Sequence, residues 1–196
     1  MNNINVISKG GYWLFIAALL LGAAPARAHA GLSAGWLHPL SGLDHLLAMI
    51  AVGAWSCQIG GRAVWLVPIS FVCFMGLGGF IGFEQLELPG TELGIALSVV
   101  LLGGAIALEQ RFPALIAAAT TAIFGIFHGY AHGYEMPVIE HKLAYMSGFL
   151  ATTASLHLLG AMGAYLLLKR TEGKLVLRLL GASCALCGLY LLSQVI

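Results

Sequence analysis

The sequence predicts an all-α membrane protein, a polytopic bundle of about six transmembrane helices after a cleaved signal peptide. Hydrophobic residues make up 60% of its 196 residues and charged residues only 9%, whereas soluble domains carry roughly 25% charged residues. A chain with so few charges cannot cover a water-facing surface, so lipid must surround most of it. At about 20 residues for each span, the length leaves no room for a separate soluble domain. The net charge of +1 argues against a nucleic-acid partner, which would require a basic patch.

Residues 1–28 have the layout of a secretory signal peptide. Lys9 is the one charge before a short apolar run, and an Ala-x-Ala pattern ends at Ala28. The apolar run, about 13 residues long, is too short for a comfortable membrane span. Cleavage after Ala28 would leave residues 29–196 as a single transmembrane domain with His29 at its new N-terminus. The alternative is an uncleaved first helix.

The rest of the chain divides into apolar segments with short connections that contain Gly or Pro. These segments cover roughly 37–57, 63–83, 92–109, 112–133, 143–168 and 174–195. Lys and Arg mark the cytoplasmic side, and they follow the first, third and fifth segments, whereas Glu residues follow the second and fourth. Both ends of the mature chain are therefore predicted to face outward (N-out, C-out) in a bacterial inner membrane. The four cysteines lie in apolar runs and predict packing residues without a disulfide framework.

A first polar cluster opens the first apolar segment, in the sequence His-Pro-Leu-Ser-Gly-Leu-Asp-His over residues 38–45. Pro39 suits the first turn of a helix. If the helix continues at 100° per residue, His38 and His45 lie within about 20° of each other on one stripe. Asp44 then points toward a neighbouring helix. It is the only Asp in the chain, and a carboxylate inside an apolar layer is costly enough to indicate a functional group.

A second polar cluster closes the fourth segment. His128, His132 and Glu135 are spaced i, i+4, i+7, which places two imidazoles and a carboxylate on one face if the helix persists to Glu135. A stripe of small residues beside that face would let another backbone approach the histidines. It consists of Gly125, Gly129 and Gly133. The predicted orientation brings this cluster and the first one to the same outer level of the membrane.

His157 lies about 15 residues into the fifth segment, roughly 20 Å below its outer end. We interpret His157 either as a deeper ion-binding position on a path inward or as a hydrogen-bonding contact between helices. Imidazoles and carboxylates without a thiolate suit borderline divalent ions such as Ni²⁺, Co²⁺ or Zn²⁺. His29 would add an amine and an imidazole at the mouth of such a path. The ion would be cargo, and no resident cofactor is predicted.

The two motifs also carry a resemblance to a known family. The sequence resembles the HupE/UreJ proteins in residues 38–45, in the run Phe-His-Gly-Tyr-Ala-His-Gly-Tyr-Glu over 127–135, and in the stretch from Gly148 to Gly160. The resemblance implies uptake of nickel, or in some members cobalt, that serves hydrogenase or urease assembly. It also implies metal-handling residues at the matching positions. These are His38, Asp44 and His45, completed by His128, His132 and Glu135.

Three functions are compatible with this pattern. The first is a secondary permease or channel-like facilitator, in which transient ligands at several depths pass the ion along. The second is an intramembrane zinc hydrolase, in which three histidines hold zinc and Asp44 or Glu135 activates water. The third is a metal-binding accessory protein that does not transport. A spread of ligands over different depths, from His29 to His157, favours transport, whereas a catalytic site would gather its ligands at one level. The sequence leaves homo-oligomerisation open.

Overall fold

The computed structural model describes residues 30–136 and 142–196. The predicted signal peptide (1–28) and His29 lie outside the described residues, as does the segment 137–141. Over the described ranges the regular structure is helical and contains no strand, which confirms the all-α class. All four cysteines are free, as predicted.

The described residues form seven helices. In chain order they are α1 Ala30–Ser41, α2 Leu43–Ile59, α3 Ala63–Phe83, α4 Thr91–Ala107, α5 Ala114–Tyr134, α6 Lys142–Leu168 and α7 Gly173–Ser193. Helices α2 to α7 correspond to the apolar segments predicted from the sequence, and their ends agree closely except at the start of the first segment. The difference at that start changes the geometry of the first polar cluster.

A sharp bend at Gly42 breaks the first polar cluster. This residue has an extended backbone (φ −93°, ψ 122°), and the helical stretches on either side, Gly35–Ser41 and α2, are bent by 93°. A side chain at Gly42 would crowd Asp44, because a Cβ there would lie 2.7 Å from Oδ1 of that carboxylate. The predicted single helix through this cluster is therefore wrong, and His38 in α1 does not share a helical stripe with His45 in α2.

Several helices are long and apolar enough to cross a membrane. Among the described residues these are α3, α5, α6 and α7, and the bent pair α1–α2 makes a fifth candidate if it forms one broken span. Helix α4 has 17 residues, about 26 Å at 1.5 Å per residue, slightly less than the roughly 30 Å hydrocarbon core of a bilayer. The fold is therefore that of a multi-pass membrane protein with four or five candidate spans, and the six-span count stays a prediction.

The glycine stripe of α5 packs against the backbone of α3. A Cβ on Gly129 would overlap the carbonyl oxygen of Met75, and a Cβ on Gly133 would overlap that of Gly79. The two helices therefore touch backbone to backbone, as small residues permit in membranes. The prediction that this stripe brings a second backbone close to the histidines of α5 is confirmed.

The helices pair across the bundle. The closest pairs are α3 with α5, α4 with α7 and α2 with α6. If α2 is exchanged with α5, α3 with α6 and α4 with α7, the same three pairs result. A repeat of three helices followed by three helices would have this pairing. This packing also brings α2, α4 and α5 into mutual contact, and the polar residues lie where these three helices meet.

Candidate metal site

The two polar clusters meet between α2 and α5. The imidazole ring of His45 lies 4.7 Å from that of His128 and 4.5 Å from that of His132, measured between ring centroids. His128 and His132 stand about one turn apart on α5 and are 0% and 1% exposed. The prediction that the two clusters come together is confirmed for these three side chains.

Asp44 bonds to its own neighbour in the chain. Its Oδ1 accepts hydrogen bonds from the backbone N–H of His45 at 2.8 Å and from the ring Nδ1 of His45 at 3.0 Å. The predicted reach of Asp44 toward a neighbouring helix is therefore replaced by a contact within the first turn of α2. A carboxylate that accepts from Nδ1 leaves the lone pair of a neutral imidazole on Nε2. That Nε2 atom is buried and has no hydrogen-bond partner among the described residues.

His128 bonds to a serine of α4. Its Nε2 lies 2.8 Å from Oγ of Ser98, and both residues are 0% exposed. Its other ring nitrogen, Nδ1, has no hydrogen-bond partner within the described part of the chain. His45 and His128 thus each have one nitrogen bonded to a polar side chain and one buried nitrogen without such a bond.

A small polar cavity of about 140 Å³ opens beside the rings of His45 and His132. Its polar lining comes from the ends of α1 and α5 and from the first turns of α2 and α4. The polar lining residues are Ser41, Asp44, His45, Glu92, His132 and Glu135. Glu135 follows the last residue of α5, but its N–H still bonds the carbonyl of Ala131 at 2.9 Å. The helix therefore ends one residue earlier than the spacing required, yet His132 and Glu135 still face one cavity.

A wider cavity of about 460 Å³ adjoins the small one. The two cavities share Asp44, Glu92 and Ile95. The wider cavity is also lined by Gln194 and Val195, just after α7. Carboxylates on the shared wall of two cavities attract cations and raise their local concentration.

Sequence reasoning misses two residues of this site, Glu92 and Ser98. Glu92 is interpreted from the sequence only as an outer-loop charge, but it lies in the first turn of α4 and lines both cavities. Its place at the predicted outer end of an apolar segment, at the level predicted for both polar clusters, is the signal that could have indicated it. Ser98 offers no comparable signal, because a single hydroxyl in an apolar helix commonly bonds its own backbone.

Comparison with known proteins gives the family. The family model for HupE / UreJ protein matches residues 13–191. The chain belongs to the HupE/UreJ family. It is similar to Protein HupE of Rhizobium leguminosarum bv. viciae, with 45% identity over 182 residues, which cover 90% of this chain and 94% of that protein. No solved structure matches the chain.

In this HupE/UreJ chain a further histidine lies behind the ring of Phe71. That ring lies 5.5 Å from His128 and 5.1 Å from His157, between centroids. His157 is 2% exposed, and neither of its ring nitrogens has a hydrogen-bond partner in the residues described. The interpretation of His157 as a hydrogen-bonding contact between helices therefore finds no support there. His157 instead lines an apolar cavity of about 610 Å³, chiefly between α3 and α6.

The polar residues of this HupE/UreJ protein lie close together without a ready coordination sphere. Within the portion of the chain that the structure describes, no group of three or more His, Cys, Asp or Glu side chains is arranged to hold a metal ion. The rings of His45 and His128 instead pack edge to face at 87°, so shared binding of an ion would require side-chain rotation. His29 lies outside the described residues, and only the backbone of His38, within α1, is described.

Proposed function

We propose that this HupE/UreJ protein is a secondary permease or channel-like facilitator that takes up a divalent transition metal across the bacterial inner membrane. Ni²⁺ is the proposed cargo, with Co²⁺ second. The observation that carries the proposal is the meeting of His45, His128 and His132 beside a cavity lined by carboxylates. Imidazole and carboxylate together suit borderline divalent ions, and ionisable groups buried among apolar helices mark ion pathways.

The proposed route begins at the periplasmic side, where the distribution of Lys and Arg predicts that the polar clusters lie. The carboxylates of the two cavities would concentrate cations there, with His38 and, in the mature chain, His29 near the mouth. The ion would then exchange water for imidazole nitrogens at His45 and His128. His157 would be a deeper binding position for the ion before its release on the cytoplasmic side.

The arrangement supports passage of an ion better than its permanent retention. Catalytic zinc sites hold the metal through three fixed protein ligands, whereas the described side chains of this cluster would need to rotate to share an ion. Conduction requires ligands that bind an ion and also release it. A cluster that rearranges to bind is therefore better suited to transport than to a resident metal.

An intramembrane zinc hydrolase is the second candidate, because one observation favours it. The three imidazoles of α2 and α5 lie at one place, as three zinc ligands would, with carboxylates nearby to activate water. That function leaves His157, beyond the ring of Phe71, without a role. A metal-binding accessory protein for hydrogenase or urease maturation would use the same cluster without carrying the ion across.

Accumulation of ⁶³Ni²⁺ in proteoliposomes tests the proposal. We compare the parent protein with His45→Ala and Asp44→Asn, which alter the centre of the cluster. Ser56→Ala is the matched control, because it removes a buried hydroxyl of the same helix that bonds the carbonyl of Gly53. The parent and Ser56→Ala should accumulate ⁶³Ni²⁺ several-fold above empty liposomes, and His45→Ala should fall to their level.

Each other outcome points to a different function. Uptake by the parent equal to that of empty liposomes would overturn the transport proposal. Tightly retained zinc together with hydrolysis of a membrane substrate would favour the hydrolase. Binding of Ni²⁺ by the parent without accumulation would favour the accessory protein.

A further inference from the structure

Two buried serines make the same bond to their own helix, and one of them also contacts a histidine. Oγ of Ser98 donates to the carbonyl of Ile95 at 2.6 Å, and Oγ of Ser56 donates to the carbonyl of Gly53 at 2.7 Å. Both serines are 0% exposed. Oγ of Ser98 also lies 2.8 Å from Nε2 of His128, so this hydroxyl takes part in two short polar contacts.

The single proton of the Ser98 hydroxyl decides which nitrogen of His128 carries hydrogen. A serine hydroxyl donates once and accepts through its lone pairs. If the Ser98 proton goes to the carbonyl of Ile95, Nε2 of His128 must carry hydrogen and donate it to Oγ. Both short contacts are then hydrogen bonds. If Ser98 instead donated to Nε2, the bond to Ile95 would be lost. The hydrogen on Nδ1 would then be buried without an acceptor, at a cost of about 1–3 kcal/mol.

We infer that Ser98 is a positioning residue, which holds His128 as the Nε2–H tautomer and leaves Nδ1 as the nitrogen that binds the metal ion. The inference rests on the proposed function, in which His128 is a ligand of the transported ion. Nδ1 is buried and has no hydrogen-bond partner in the described chain, so no described residue uses its lone pair. A hydrogen bond from the second ring nitrogen is how proteins usually orient a metal-binding imidazole.

At His45 the opposite ring nitrogen is left for the metal ion. Asp44 accepts from Nδ1 of His45, which leaves Nε2 for the metal. The two rings, 4.7 Å apart, therefore offer one Nε2 and one Nδ1, and the other nitrogen of each ring bonds a different polar side chain. Replacement of Ser98 should disturb the ligand on α5 and leave the ligand on α2 in place.

The tautomer of the parent protein is the first test. The full chain is labelled with ¹⁵N-histidine and examined by NMR in detergent micelles, and the signals of His128 are those lost in His128→Gln. We expect a protonated Nε2 and an unprotonated Nδ1. A protonated Nδ1 in the parent would overturn the inference, whatever the other variants do.

Affinity for Ni²⁺, measured by calorimetry on the purified full chain, is the second test. Ser98→Ala should bind about 10- to 100-fold more weakly, as metal sites do when they lose an outer partner of a histidine ligand. Ser98→Thr keeps the hydroxyl and should bind Ni²⁺ within about threefold of the parent. A purely structural role for the serine would not require this recovery of affinity by a second hydroxyl side chain. Ser56→Ala should bind like the parent. Equal affinities in Ser98→Ala and Ser56→Ala would contradict the inference.

Binding and transport can fail separately in these measurements. If Ser98→Ala binds weakly but the parent does not accumulate ⁶³Ni²⁺, the transport proposal is wrong and the role of Ser98 stands. If the parent accumulates the ion and Ser98→Ala binds it equally well, the role of Ser98 is wrong and transport stands. A parent that binds no Ni²⁺ at all would overturn both.

Discussion

The rings of His45 and His128 lie 4.7 Å apart and almost perpendicular, at 87°, although they belong to α2 and α5. Asp44 bonds the first ring through Nδ1 and Ser98 bonds the second through Nε2. Each of these hydrogen bonds uses the ring nitrogen that would not bind the ion in the proposed site. This pair is the centre of the proposed path.

Loss of the Glu92 carboxylate should slow capture of the ion. Glu92→Gln keeps the shape of the side chain but removes a charge from the wall shared by both cavities. We expect ⁶³Ni²⁺ uptake at low concentration to fall about tenfold, because steering by charge is lost, with a smaller effect at saturation. Glu87→Gln is the control, since Glu87 is exposed in the loop that precedes α4 and lines neither cavity. An equal loss in both variants would contradict a role specific to Glu92.

Close packing between α3 and α5 should make Gly129 intolerant of a side chain. Gly129→Ala places a Cβ against the carbonyl of Met75, and we expect a loss of about 1–3 kcal/mol in the free energy of unfolding. Gly104→Ala is the matched control, because a Cβ there has no neighbour within 4 Å and alanine favours the helix. Thermal unfolding in detergent, followed by circular dichroism, measures both. Similar stabilities of the two variants would show that the helices do not touch as described.

Removal of His157 should separate stability from function. Its ring nitrogens have no hydrogen-bond partner in the described residues, so His157→Leu removes buried polar atoms that cost free energy. We expect unchanged or higher thermal stability together with lower ⁶³Ni²⁺ uptake. His128→Leu is the comparison, since it breaks the bond to Ser98 and should lower stability by about 1 kcal/mol. Lower stability of His157→Leu with normal uptake would make His157 a structural residue.

The orientation of the chain has its own test. A reporter that is active only in the periplasm is fused near residue 87 or near residue 171. The distribution of Lys and Arg predicts activity at the first position and silence at the second. The reverse pattern, at equal expression of the two fusions, would move the polar cavities to the cytoplasmic side and overturn uptake from the periplasm.

Features within one helix are predicted well from this sequence. The spacing of His128, His132 and Glu135 depends only on helical geometry, and His132 and Glu135 line one cavity. The bend at Gly42 escapes prediction, because a single glycine is tolerated in a helix and Pro39 suits a first turn. In the structure the helix already begins at Ala30, so Pro39 lies inside α1.

Features that depend on packing between helices are not predicted. Glu92 and Ser98 join the site only because α4 lies against α2 and α5, and hydrophobic periodicity does not reveal which helices become neighbours. The contact of Phe71 with both His128 and His157 is hidden for the same reason. Sequence spacing therefore finds polar residues that share a helix, and the structure adds the side chains from other helices that contact them.

X-ray absorption at the nickel edge, on the purified chain with one bound Ni²⁺, tests whether imidazoles of α2 and α5 bind the ion together. The proposed site predicts scattering from at least two imidazoles in the parent protein. One imidazole fewer is expected in His45→Ala and in His128→Ala, and no change is expected in Ser56→Ala. A parent spectrum with oxygen ligands alone, and no imidazole scattering, would contradict it.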